Sequence, residues 1–175
     1  MAMRAAQALY EKGLTTYMRT DSTTLSADAL DAARKVITEK YGTEFCPPEA
    51  RTYNKKTKGA QEAHEAIRPA GAEFASPETV AKECVKSEAQ VYELIWQRTI
   101  ASQMTDATGE TVQVRVGVTS TAGTATTFSA SGTVITHQGF RKVYIDGDSD
   151  DDETGTAALP QVAQGDDLNA SELEA

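Results

Sequence analysis

The 175-residue chain is 39% hydrophobic and 6% aromatic and carries a net charge of −9. This length suits one domain, or one domain and part of another. The apolar share supports a packed core, and the low aromatic share argues against a large aromatic binding surface. No apolar run approaches the about 18 residues of a membrane span and no signal-peptide pattern is present, so we expect a soluble, non-secreted protein with no membrane partner. Cys46 and Cys84 stand far apart without partners at metal-ligand spacing, the pattern of free thiols in a reducing compartment. The acidity is uneven: residues 1–70 carry 11 basic against 9 acidic side chains, residues 71–175 carry 6 against 17, and from Ile145 onward there are ten acidic residues and no basic one. Any contact with phosphate therefore belongs in the first part of the chain.

Met3 to Lys12 consists almost entirely of good helix formers, and Gly13 is a suitable stop. The next stretch, Gly13-Leu-Thr-Thr-Tyr-Met-Arg-Thr-Asp-Ser-Thr23, shifts to residues that favour a short strand. On a strand, Tyr17, Arg19 and Asp21 point the same way. A phenol ionises near pH 10 and is a poor nucleophile at neutral pH unless a cation favours the phenolate. A guanidinium fork suits a phosphoryl group under attack. The same spacing also fits a packing tyrosine beside a solvated arginine.

Ser26 predicts the cap of a helix over 27–41, with Leu30, Ala33, Val36, Ile37 and Tyr41 on one face. Cys46-Pro47-Pro48 stops any helix, and residues 51–59 form a basic loop around Tyr53 and Asn54 that suits either solvent or a DNA backbone. His64, Glu65 and Arg68 follow; if helical, His64 and Arg68 share a face within reach of one phosphate. The bland alternative is a histidine that bonds a loop.

Ser76-Pro77 opens a short helix. Ser87 to Gln90 reads as a capping box for a helix reaching about Met104, with Val91, Leu94, Ile95, Arg98 and Ala101 tracing its turns and Trp96 in the core. After Thr105 the period becomes 2: Val112, Val114, Val116 and Val118 alternate with Gln113, Arg115, Gly117 and Thr119. A second strand is expected over 124–137 with a bulge or bend at Ser131-Gly132, a third over 140–146, an acidic disordered loop over 146–153, and a last short strand within 158–174. Helices before strands make an α+β chain: a mostly helical domain over 1–105 and a partial antiparallel β domain over 106–175.

Gly-Leu-Thr-Thr-Tyr-Met-Arg-Thr-Asp-Ser at 13–22 resembles the active-site tyrosine segment of the type IA DNA topoisomerases. Gln61-Glu-Ala-His-Glu-Ala-Ile-Arg-Pro69 resembles the family's other signature in the same domain. Met18 and the Glu-Ala-Ile-Arg-Pro run are more similar to the bacterial topoisomerase I branch than to topoisomerase III. Thr15 departs from the pattern, since a large aliphatic is usual there, and puts a polar group at a packing position.

The resemblance implies a fragment comprising the helical tyrosine domain and the second half of the β arch that the helical domain interrupts. It implies that Tyr17 attacks one strand of DNA to give a 5′-phosphotyrosyl link, that strand passage and religation relax negative supercoils without ATP, and that Arg19 steadies the phosphate. It makes His64 a contact to a neighbouring phosphate and Arg68, Thr20 and Asp21 further DNA-positioning candidates. It implies Mg²⁺ in the full-length enzyme, held by acidic residues of a separate Toprim domain. The fragment is then expected to hold no metal, to be inactive alone, and to work in the bacterial cytoplasm beside the nucleoid. Its expected partners are single-stranded DNA, the remaining domains of the same enzyme and, through unpaired strands, a second copy by dimerisation or strand exchange. The alternatives are a non-catalytic single-stranded DNA-binding module or a protein-interaction module.

Overall fold

The computed structural model describes residues 2–53, 65–145 and 163–167. His64, most of the basic loop, the acidic run after Ile145 and most of the proposed last strand lie outside the described residues.

Helix α1 (Ala2–Glu11) buries Ala5 and Leu9. It ends at Gly13, whose φ of +69° is open to glycine at little cost. There the Gly13 N–H bonds the Tyr10 carbonyl and the Leu14 N–H reaches back to the Leu9 carbonyl, both at 2.9 Å, a Schellman-type close. Helix α2 (Ala27–Lys40) starts where Ser26 accepts from the Ala29 N–H, with Asp28 in its first turn and Lys40 in its last, each complementing the helix dipole. Its buried residues are Ala29, Ala32, Ala33 and Ile37, so the contact face is made of small residues that let α2 lie close to its neighbours. A 3₁₀ turn (Thr43–Phe45) follows.

Helix α3 (Pro77–Glu83) is capped by Ser76, as expected. Helix α4 (Lys86–Ser102) departs from expectation twice. It begins one residue before Ser87, at an N-cap (Val85) with no side-chain bond, so the capping box is not used. Its buried face is Tyr92, Trp96, Thr99 and Ile100, and Leu94 is 59% exposed. The apolar residues alone suggested a face rotated from the true one, because Thr99 turns inward by returning its hydroxyl to the Ile95 carbonyl (2.8 Å). The core joins Leu9, Ala33, Ile37, Tyr41, Val80, Tyr92, Trp96, Ile100 and Met104 to Val143 from the return segment.

That return segment corrects the proposed third strand. Residues 139–145 form a 3₁₀ turn (Gly139–Arg141) and a short helix α5 (Lys142–Ile145) that buries Val143. Gly139 at φ +50° lies so close to Asp106 that a Cβ would overlap its carbonyl. The Phe140 N–H bonds the Thr105 carbonyl at 2.9 Å. A short apolar run is ambiguous between strand and helix, and this docking decides it. The segment after His137 thus groups with the helical unit that runs to Ala107.

The second unit contains β1 (Thr108–Thr119) and β2 (Ala125–His137), one antiparallel hairpin. Val112, Val114, Val116 and Val118 pair with Gly132, Ala130, Phe128 and Thr126. Directly paired residues share a face of the sheet, so one side is apolar and the other carries Thr111, Gln113, Arg115, Ser129 and Ser131. The irregularity lies at Thr108/Gly109, and Ser131-Gly132 pairs in register without the expected bulge. The architecture is α+β, with five helices and a two-stranded antiparallel sheet among the described residues.

Candidate active site

The chain leaving α1 is held by a short bridge rather than a full strand. Thr15 pairs with Pro69, the Thr16 N–H bonds the Arg68 carbonyl and the Ala70 N–H bonds the Leu14 carbonyl, both at 2.9 Å. The Thr16 hydroxyl donates to the Ala66 carbonyl (2.7 Å) and accepts from the Arg68 N–H (2.9 Å). The two signature segments, about fifty positions apart in sequence, are thereby laid side by side. Thr15 turns inward, 3% exposed, and its hydroxyl has no hydrogen-bond partner among the described residues.

Beyond the bridge, exposure alternates with period 2 although no regular strand forms. Tyr17 (45% exposed), Arg19 and Asp21 are exposed, whereas Met18 is buried and Thr20 and Ser22 are half-buried. The Tyr17 ring stands edge-on to Tyr10 from the last turn of α1, centroids 5.2 Å apart at 70°. No hydrogen bond or ion pair is made by the Tyr17 hydroxyl or the Arg19 guanidinium among the described residues, and both side chains are exposed. Farther along, hydroxyls fold the chain onto itself: Thr20 Oγ1 accepts from the Ser22 N–H (3.1 Å) and Ser22 Oγ from the Thr24 N–H (3.2 Å).

Residues 65–70 are not helical. Arg68 is therefore placed by the bridge, and it lies inside, 9% exposed. Its Nε and Nη2 form a two-point pair with Glu65 at 2.7 and 3.0 Å, and its Nη1 donates to the carbonyls of Pro69 (2.8 Å) and Gly71 (3.2 Å). Glu65 also accepts from the backbone N–H of Ser26, the cap of α2, at 2.9 Å. Burial alone would raise the Glu65 carboxyl; the bonds from Arg68 and Ser26 outweigh it and hold the carboxyl below its ordinary range. A phosphate would reach this guanidinium only by displacing Glu65. His64 lies outside the described residues.

Sequence reasoning missed Tyr10 as a neighbour of Tyr17, and its signal is faint: an aromatic in the last turn before a glycine stop. It missed also that Gln103, fully buried, grips the backbone of Arg51, accepting from its N–H and donating to its carbonyl, both at 3.0 Å. No group of three or more His, Cys, Asp or Glu side chains that could hold a metal ion converges among the described residues. Nor is any helix among them long and apolar enough to cross a membrane.

A sequence model of the family described as DNA topoisomerase matches residues 1–175. Among curated relatives, the "DNA topoisomerase 1" of Streptomyces coelicolor is 50% identical, covering 98% of this chain and 18% of its own length. That of Mycolicibacterium smegmatis is 48% identical, covering 99% and 19%. Full-length topoisomerase I from Thermotoga maritima superposes with a TM-score of 0.62 at 32% identity, covering 91% of this chain and 25% of that one. The chain thus spans about a fifth of the length of the curated relatives it matches. On its full length and on the fold, the chain belongs to the bacterial type IA DNA topoisomerase I family.

Proposed function

We propose that this chain supplies the nucleophile for transient cleavage of one DNA strand within a longer topoisomerase. The observation that carries the reading is the exposure of Tyr17, with Arg19 exposed two residues on, in a segment joined to the second signature by the Thr15–Pro69 bridge. The phenolic oxygen attacks a backbone phosphorus of single-stranded DNA. The O–P bond to Tyr17 forms as the bond to the 3′-oxygen breaks, the phenol gives up its proton, and the leaving oxygen takes one to become a 3′-hydroxyl. The diester is exchanged rather than hydrolysed, so religation by the reverse step needs no ATP. Passage of another strand through the gap relaxes negative supercoils. Arg19 steadies the charge on the phosphate, Asp21 and Thr20 help position the strand, and His64 contacts a neighbouring phosphate. Arg68 acts from beneath, holding Glu65 and the α2 cap so that the 65–70 segment supports the bridge.

Magnesium enters from other parts of the longer protein, and no step here is assigned to it. The isolated chain is accordingly inactive in relaxation, and its place is the bacterial cytoplasm, with DNA as substrate. The apolar face of the hairpin, where Phe128 is 56% and Val118 47% exposed, meets the remaining domains of the enzyme, or a second copy when the chain is alone. The test is supercoil relaxation by the intact enzyme with Tyr17→Phe. Loss of relaxation and of strand cleavage with retained single-strand binding supports the reading; relaxation at the wild-type rate overturns it.

A further inference from the structure

We propose that Tyr53 is a stacking platform for one nucleobase of the single strand that runs past Tyr17, a deepening that rests on the reading just given. The rings of Tyr92 and Trp96 are 1% and 4% exposed, whereas Tyr53 is 47% exposed. Yet it is held at both ends. Its hydroxyl donates to the Ser102 carbonyl at the end of α4 (2.8 Å), and its own carbonyl accepts from the Thr23 hydroxyl (2.8 Å). Two residues earlier the backbone of Arg51 is gripped by the buried Gln103, and the Arg51 guanidinium is taken up by Asp106 at 2.9 Å.

An aromatic side chain held in this way and still about half exposed can offer a π-face at small entropic cost, which is what base stacking uses and what makes it tolerant of sequence. Thr23, which holds Tyr53, belongs to the run that carries Tyr17. Six extended residues span at most about 20 Å, roughly six stacked nucleotides, so one strand can meet both tyrosines. Because Asp106 occupies Arg51, the contribution at this point is stacking rather than charge.

The test uses the intact enzyme in a Tyr17→Phe background, with single-stranded oligonucleotides carrying 2-aminopurine at successive positions. The expected result is quenching at one position that Tyr53→Ala abolishes, with binding weakened on the order of tenfold and the salt slope of binding unchanged, since no phosphate contact is lost. Tyr53→Trp should keep the quench and Tyr53→Leu, which keeps bulk without a π-face, should lose it. With an abasic residue at that position, wild-type Tyr53 and Tyr53→Ala should bind alike. No Tyr53-dependent quench, or an undiminished affinity loss on the abasic strand, overturns the proposal. The two readings fail separately: a Tyr53-dependent quench together with wild-type relaxation by the Tyr17→Phe enzyme removes the nucleophile, and loss of relaxation in Tyr17→Phe without any Tyr53-dependent quench removes the platform.

Discussion

Among the described residues the Tyr17 side chain has one aromatic neighbour, the edge-on ring of Tyr10, and this contact concerns the nucleophile without touching the phosphate. In the intact enzyme, Tyr10→Phe preserves the ring pair and should cleave DNA near the wild-type rate. Tyr10→Ala frees the Tyr17 ring and should slow cleavage at saturating DNA on the order of tenfold, with single-strand affinity unchanged; equal rates for the two variants would show that Tyr10 does not position Tyr17. Thr15 poses the opposite problem, since its buried hydroxyl finds no partner among the described residues. Thr15→Val keeps the shape and removes the orphan group, so it should raise stability by about 1 kcal/mol, read as a higher denaturation midpoint. A lower midpoint would mean that the hydroxyl is satisfied in solution.

Helix α2 depends on a doubled cap: Ser26 satisfies the Ala29 N–H while Glu65, paired to Arg68, takes the N–H of Ser26 itself. Ser26→Ala should cost about 1 kcal/mol. Ser87→Ala, at the capping box that α4 does not use, should change stability by less than about 0.5 kcal/mol. Glu65→Gln leaves the Arg68 charge without its counterion, and because Glu65 keeps some contact with water the cost should be about 2 kcal/mol, below that of a fully buried pair. The pH dependence follows from the direction of the shift. The folded-state carboxyl is held below its unfolded value, so its contribution is complete above the unfolded value, near pH 4.5, and is lost as pH falls through the lower folded one. The gap in melting temperature between wild type and Glu65→Gln should be full at pH 6 to 7 and close on acidification below about pH 4.5. A gap that stays constant to pH 3 would contradict the pairing.

At the scale of the molecule, the α+β order and the hydroxyl caps at Ser26 and Ser76 were legible in the sequence because they depend on local chemistry and periodicity. The face of α4 and the helical form of 142–145 were not, because a returned hydroxyl at Thr99 and docking against Thr105 and Asp106 settle them. The same division runs through the site. The shared exposure of Tyr17, Arg19 and Asp21 follows from a period of 2, whereas the inward turn of Arg68 requires a non-helical 65–70 segment and a bridge to Thr15. Two tyrosines whose rings are 5.2 Å apart make the identity of the nucleophile the central question, and the chain allows it to be asked directly. Cleavage after Lys12 and Arg19 yields a peptide from Gly13 to Arg19 whose only tyrosine is Tyr17, while Tyr10 leaves on the preceding peptide. The intact enzyme should be trapped on single-stranded DNA, digested with nuclease and trypsin, and the nucleotide-bearing peptide sequenced by mass spectrometry. A 5′-phosphoryl nucleotide on Tyr17 is the expected result; its attachment to Tyr10, or to any residue outside 13–19, would contradict the assignment of Tyr17 as the nucleophile.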